Sequence, residues 1–182
     1  MKTPVLAIIL ILFAAVIIIS ITRNRLLSRE LKADSERKEI IHLKYNKYKN
    51  KILQVKELAP SDIIVRMRNE RFVFIDTREP QEACVSTLQH AITKKTYFEL
   101  LEQNPKAYKD ATLVAYCTIG YRSGLFAKEM LEKNSVVYNL KGGILGWVHE
   151  GGDVFDVHGK TNKVHVCGKE WDLMPIGYEA VW

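Results

Sequence analysis

TLVAYCTIGYRSGLFAKEMLEK, residues 112–133, decides how the chain is read. Thr112 to Tyr116 is a short apolar run rich in β-branched and aromatic residues, the pattern of a buried strand. It stops at Cys117. A helical pattern begins within a few residues, with Leu125, Phe126, Met130 and Leu131 expected on its apolar face and Lys128, Glu129 and Lys133 on the other. Upstream, Arg71 to Ile75 (RFVFI) reads as a second buried strand, halted by Asp76-Thr77-Arg78-Glu79-Pro80. Before it, Ala59-Pro60-Ser61-Asp62 reads as a helix start with Ser61 as the cap. Downstream, Val136-Val137-Tyr138 reads as a third strand, followed by Gly142-Gly143. Strand, loop, helix, strand predicts an α/β domain with a mainly parallel sheet. Sites in such sheets form at the C-terminal ends of strands, where both Asp76-Thr77-Arg78 and Cys117 fall.

A cysteine between a strand and a helix N-terminus meets backbone N–H groups that favour an anion. Arg122, five residues on, adds a charge and a fork of donors, and Gly120 lets the loop take a backbone conformation closed to other residues. The expected result is a cradle that stabilises a thiolate and holds an anionic substrate. A cysteine at the end of a buried strand is often a plain core residue. The pattern Cys-x-x-Gly-x-Arg at this junction favours the reactive reading.

With these residues in place, the chain resembles the rhodanese, or thiosulfate sulfurtransferase, superfamily. Four segments carry the resemblance: Phe72 to Arg78, like the family's strand ending in Asp-x-Arg; Cys117-Thr118-Ile119-Gly120-Tyr121-Arg122-Ser123, like its active-site loop; the helix Gly124 to Lys133; and Tyr138 to Trp147, like its Gly-Gly-x-x-x-Trp segment. The resemblance implies a central five-stranded parallel sheet flanked by helices. It implies that Cys117 takes a sulfane sulfur as a persulfide and passes it to a thiol, a protein or another nucleophile. Thr118, Ile119, Gly120, Tyr121 and Arg122 would form the substrate-binding loop, with Asp76 and Arg78 supporting it. Related phosphatases use a loop one residue longer, so the length from Cys117 to Arg122 argues for sulfur. Two departures stand out. Thr118 occupies a position where many active members carry a charge, and Ser86 to Ala91 lacks the family's Gly-His.

The other segments set the context. From Thr3 to Thr22 no residue is charged, a length that suits a membrane-spanning helix better than the shorter apolar core of a cleaved signal peptide. Residues 1–22 are therefore expected to be a single-pass anchor, and the flanking Arg23, Arg25 and Arg29 favour a cytoplasmic C-terminal side. Residues 23–58 are expected to be a basic helical stalk, its lysines free to lie against anionic lipid. They hold eleven basic residues against five acidic, the whole of the chain's +6 excess. The stripe Ile41, Tyr45, Tyr48, Ile52 and Val55 would give the stalk a face that rests on the domain. The rest of the chain is balanced, which argues against a nucleic-acid partner.

The domain proper is expected over residues 59–152 and a packed extension over 153–182, where Lys163 to Cys167 alternates like an edge strand. Cys84, Cys117 and Cys167 are too few for a disulfide framework, and no cysteine or histidine spacing calls for a metal or cofactor. Cys84 reads as a packed helix residue, and Cys167 as a thiol that could receive sulfur from Cys117 or form a disulfide with it. Two functional classes follow: a sulfurtransferase fed by a small donor such as thiosulfate or a persulfide, or a membrane-tethered protein-binding module with little turnover.

Overall fold

The computed structural model describes residues 3–182, with side chains from Leu12 onward apart from Ala14. The chain divides into two compact units, Met1–Glu36 and Arg37–Trp182. Helix α1 runs Thr3–Lys49. In the first unit its apolar side chains Leu12, Phe13 and Val16 to Ile19 are exposed. Thr22 and Ser28 turn their hydroxyls back to the carbonyls of Ile18 and Asn24, both at 2.8 Å.

The expected anchor finds no support here: no helix among the described residues is long and apolar enough to cross a membrane. The described uncharged side chains begin at Leu12 and meet Arg23. That is roughly 16 Å of helix at about 1.5 Å per residue, against the roughly 30 Å needed. The side chains of residues 1–11, about half of the expected span, lie outside the described residues.

The second unit is an α/β domain. In chain order it comprises β1 (Glu57–Leu58), α2 (Pro60–Arg66), β2 (Phe72–Asp76), α3 (Pro80–Val85), β3 (Thr87–Leu88), β4 (Ile92–Thr93) and α4 (Lys94–Gln103). There follow β5 (Thr112–Tyr116), α5 (Tyr121–Glu132), β6 (Tyr138–Leu140) and α6 (Gly143–His149). Strands β7 (Val154–Asp156), β8 (Gly159–Thr161), β9 (Lys163–His165) and β10 (Glu179–Val181) complete it. The central sheet has five strands in the order β1-β6-β5-β2-β4, every pair parallel. Register sets Ile75 beside Ala115 and Val114 beside Tyr138.

Both faces of the sheet are covered, as a parallel sheet requires. Alternate residues of β2 and β5 go to opposite sides. Phe74, Val114 and Tyr116 join one core with Leu140, Leu145 and Trp147, where Phe74 meets the Trp147 ring edge-on at 5.5 Å. Ile75, Leu113 and Ala115 join the other with Phe126, Ala127 and Met130. The buried face of α5 therefore differs from the expected one: Leu125 and Leu131 lie at its exposed margin, and Ala127 takes the central place. Helix α2 is entered through Ala59 with Pro60 in its first turn, and Ser61 makes no cap. Proline suits that position because its missing N–H would have had no intrahelical partner.

The stripe Ile41, Tyr45 and Ile52 is fully buried in the first core, with Tyr48 and Val55 packed against it. Residues Arg37 onward thus belong to the compact domain, and β1 forms one edge of its sheet. At the other end, β7 pairs antiparallel with β3 and β8, while β9 pairs parallel with β10. Val154, Val164, Val166, Leu173 and Met174 from this C-terminal part are buried in the first core.

Candidate functional site

Strand β5 delivers Cys117 to the C-terminal edge of the sheet, and α5 begins four residues later. Gly120 makes the turn between them at φ +99°, a left-handed conformation that glycine adopts without strain. Its N–H points at the Cys117 sulfur, 3.1 Å away. The loop is clamped from behind by the second glycine segment: the Ile144 and Leu145 N–H groups donate to the carbonyls of Cys117 (2.9 Å) and Thr118 (3.2 Å). A Cβ on Gly143 would collide with those same carbonyls, so the Gly142-Gly143 pair serves the close approach of α6 to the loop. Asn139, fully buried, donates to the Gly120 carbonyl at 2.9 Å and accepts from Ser123 at 2.7 Å. Its amide also reaches the Tyr45 hydroxyl, which donates to Glu57. Burial, then Glu57, pushes that hydroxyl's pKa up, so it stays a neutral donor.

Cys117 and Thr118 are buried at the base of a pocket of about 190 Å³. Tyr121 and Arg122 of α5 line it together with Tyr48, Ile119, Cys167 and Trp171. Tyr48 stacks on Tyr121 with ring centres 4.5 Å apart. Lys51 stands over the Tyr121 ring and Lys44 over Trp171, giving the rim a basic and aromatic character.

Arg122 does not point a free guanidinium into this pocket. It forms a two-pronged pair with Glu82 of α3, at 2.6 and 2.7 Å, and also donates to the Thr118 hydroxyl at 3.2 Å. Glu82 in turn accepts the Glu79 N–H at 3.0 Å, closing a capping box that starts α3. Burial works against the Glu82 carboxylate, but the bonds from Arg122 and from the Glu79 amide outweigh it and lower its pKa from 4.5 to about 2. The charge of Arg122 is therefore balanced on the spot.

Asp76 and Arg78 sit beneath the site as a buried ion pair. Arg78 Nη2 lies 2.7 Å from Asp76 Oδ2, and the same nitrogen donates to the Ser86 carbonyl. The Tyr116 hydroxyl donates to Asp76 at 2.7 Å and accepts from the Leu88 amide. Burial opposes the charge on Arg78, but Asp76 outweighs it and raises its pKa. The pair thereby ties β2, β5 and the start of β3 together below the loop. It is a support and makes no contact with the Cys117 sulfur among the described bonds.

The structure thus brings Cys117, Thr118, Ile119, Tyr121 and Arg122 to one pocket, with Gly120 on the sulfur and Asp76 and Arg78 below. Glu82 escaped sequence reasoning, though a capping-box acid after Pro80 was a signal for it. Asn139 and Trp171 escaped too, because their roles arise only from tertiary contact. Cys84 is exposed on α3, not packed.

Residues 59–150, just over half of the chain, match the Rhodanese-like domain family. A tRNA uridine(34) hydroxylase of Xanthomonas oryzae pv. oryzae is 40% identical over 96 residues, covering 49% of this chain and 38% of the relative. A protein of the same name from Acinetobacter baylyi is 30% identical over 143 residues, covering 65% of this chain and 45% of the relative. The chain spans less than half the length of these curated relatives. Among solved structures, a thiosulfate sulfurtransferase from Pseudomonas aeruginosa superposes with a TM-score of 0.50 at 16% identity, covering 76% of this chain and 26% of that one.

Proposed function

Because this chain belongs to the rhodanese-like family, we propose that it is a sulfurtransferase in which Cys117 carries the sulfur. The observation that supports this most is the Gly120 N–H on the Cys117 sulfur at the base of a pocket bordered by Arg122. In the first step the Cys117 thiolate attacks the sulfane sulfur of a donor. The donor's bond to that sulfur breaks, its electron pair leaves with the remainder (sulfite, if the donor is thiosulfate), and a persulfide forms. In the second step a nucleophilic acceptor takes the outer sulfur, and the S–S electron pair returns to Cys117 as thiolate. No net oxidation occurs at the protein.

The Glu82–Arg122 pair bears on the donor. With the Arg122 guanidinium balanced by Glu82 and Thr118 uncharged, the pocket offers a dianion such as thiosulfate little net attraction beside Cys117, and the positive charge of Lys44 and Lys51 stands farther out at the rim. A thiol-borne persulfide suits it better. The test is turnover with cyanide, following thiocyanate from thiosulfate and from an alkyl persulfide, with Cys117→Ser as control. Thiocyanate from the persulfide, lost in the variant, supports the proposal. No thiocyanate from either donor sinks it in favour of a protein-binding module with little turnover.

A second reading follows the relatives' name, in which a tRNA uridine is what they hydroxylate. The rim of Tyr121 and Trp171 with Lys51 and Lys44 favours it, since bases stack on aromatics and lysines meet phosphates. Binding of a labelled transfer RNA that weakens steeply with salt would support it, and salt-independent or absent binding would discard it. For location, we propose a membrane tether through residues 3–22 with the domain on the cytoplasmic side. Its support is the sequence alone, an uncharged stretch followed by a basic flank. Release of the chain from membranes by alkaline carbonate would contradict it.

A further inference from the structure

Cys167 lies outside the four segments that carry the family resemblance, yet it shares the pocket of Cys117. Its sulfur is 3.5 Å from the Thr118 hydroxyl, 3.7 Å from Arg122 Nη2 and 3.8 Å from Glu82 Oε1. The two thiols differ in access. Cys117 is 2% exposed, whereas Cys167 is open to solvent. Cys167 is also held in place from both sides. On one, Val166 is fully buried and its N–H donates to the Val181 carbonyl at 2.7 Å. On the other, a 3₁₀ turn at Lys169–Trp171 brings Trp171 into the same pocket wall. An exposed cysteine at such a spot adds nothing to the core that serine would not. Arg122 meets Cys167 directly and lines the same pocket as Cys117, so one side chain borders both sulfurs.

Resting on the sulfurtransferase reading above, we propose that Cys167 is a second sulfur carrier, which takes the outer sulfur from the Cys117 persulfide and presents it at the mouth of the pocket. The Cys167 thiolate, its proton given up to solvent, attacks the outer sulfur of the protonated Cys117 persulfide. An S–S bond forms at Cys167, the S–S bond at Cys117 breaks, and its electron pair returns to Cys117 as thiolate. The proton stays on the moving sulfur. The exchange is neutral in charge and in redox state, so it needs no added oxidant or reductant. Its consequence is steric: an acceptor too large to enter a pocket of about 190 Å³ meets the sulfur at an exposed residue.

The test loads the full chain with thiosulfate or an alkyl persulfide, blocks thiols and persulfides with an alkylating reagent at timed intervals, and locates the extra sulfur by peptide mass. The relay predicts sulfur on Cys117 first and on Cys167 later, with none on Cys167 in the Cys117→Ser variant. In Cys167→Ser the sulfur accumulates on Cys117, and its delivery to a protein thiol slows, because the exchange that brings it to an exposed residue is lost. Two results overturn the relay while leaving the first proposal intact: sulfur on Cys117 that never reaches Cys167, or a Cys117–Cys167 disulfide with sulfide released. Sulfur on Cys167 in the Cys117→Ser variant overturns the relay and counts against the first proposal as well. Failure of both donors to load Cys117 overturns the sulfurtransferase reading, and the relay with it.

Discussion

Glu82 sets the electrostatics of the pocket, because its carboxylate holds both nitrogens of the only arginine in the Cys117 loop. Glu82→Gln removes the counter-charge and keeps the shape. It should lower the KM for thiosulfate by about tenfold, the effect of one freed charge-assisted contact of roughly 1.4 kcal/mol, with a smaller change for a neutral persulfide donor. Steady-state kinetics with the two donors measure this, and equal effects on both would contradict it. The same pair gives a signed pH dependence. The folded-state pKa of Glu82 is depressed from 4.5 to about 2. Its stabilisation is therefore full above about pH 4.5 and is lost as the pH falls toward 2. Acid unfolding of Glu82→Gln should lack that part of the slope. Gly120 gives a second test at this scale. A Cβ there would lie 2.8 Å from Tyr45 Cε2 and 3.0 Å from the Leu140 carbonyl, at a φ of +99°. Gly120→Ala should cost about 1–3 kcal/mol in unfolding free energy and displace the amide from the Cys117 sulfur.

At the scale of elements, the buried Asp76–Arg78 pair joins β2 to the carbonyl before β3, and Tyr116 of β5 to both. Arg78→Ala leaves the Asp76 carboxylate buried without a cation. The expected loss is about 3–5 kcal/mol in urea unfolding, since breaking one side of such a pair strands the other charge. A loss below about 1 kcal/mol would show that the pair is dispensable. These elements were legible in the sequence to different degrees. The strands β2 and β5 and the Cys117 turn could be read locally, because a buried parallel strand is a short apolar run and a strand-to-helix turn needs glycine. The cap of α2 was misread, since Pro60 at its first turn outweighed the hydroxyl of Ser61. On the apolar face of α5, Phe126 and Met130 are buried as the pattern predicts, but Leu125 and Leu131 are not, because Ala127, which carries little hydrophobic signal, packs in the core in their stead. Glu82 looked like any first-turn acid until Arg122 arrived from 40 residues downstream.

At the scale of the molecule, the rhodanese-like domain begins earlier than its sequence resemblance suggests. Ile41, Tyr45 and Ile52 are each at most 2% exposed, and β1 pairs with β6 just before the family match begins. A chain starting at Arg37 should fold, whereas one starting at Ala59 exposes the ground these side chains cover. Each buried large apolar side chain contributes about 1.5–3 kcal/mol, so the loss of three approaches the whole stability of a typical domain. Thermal melting of the two chains compares them, and equal melting temperatures would contradict the boundary. The charge that the sequence places in residues 23–58 therefore serves two units, and part of it reaches the pocket rim as Lys44 and Lys51.

The central claim is that Cys117 carries sulfur, and intact mass of the full chain after incubation with an alkyl persulfide tests it most directly. A gain of one sulfur that cyanide removes, absent in Cys117→Ser, is the predicted result. An unchanged mass, or a gain that persists in Cys117→Ser, would contradict it.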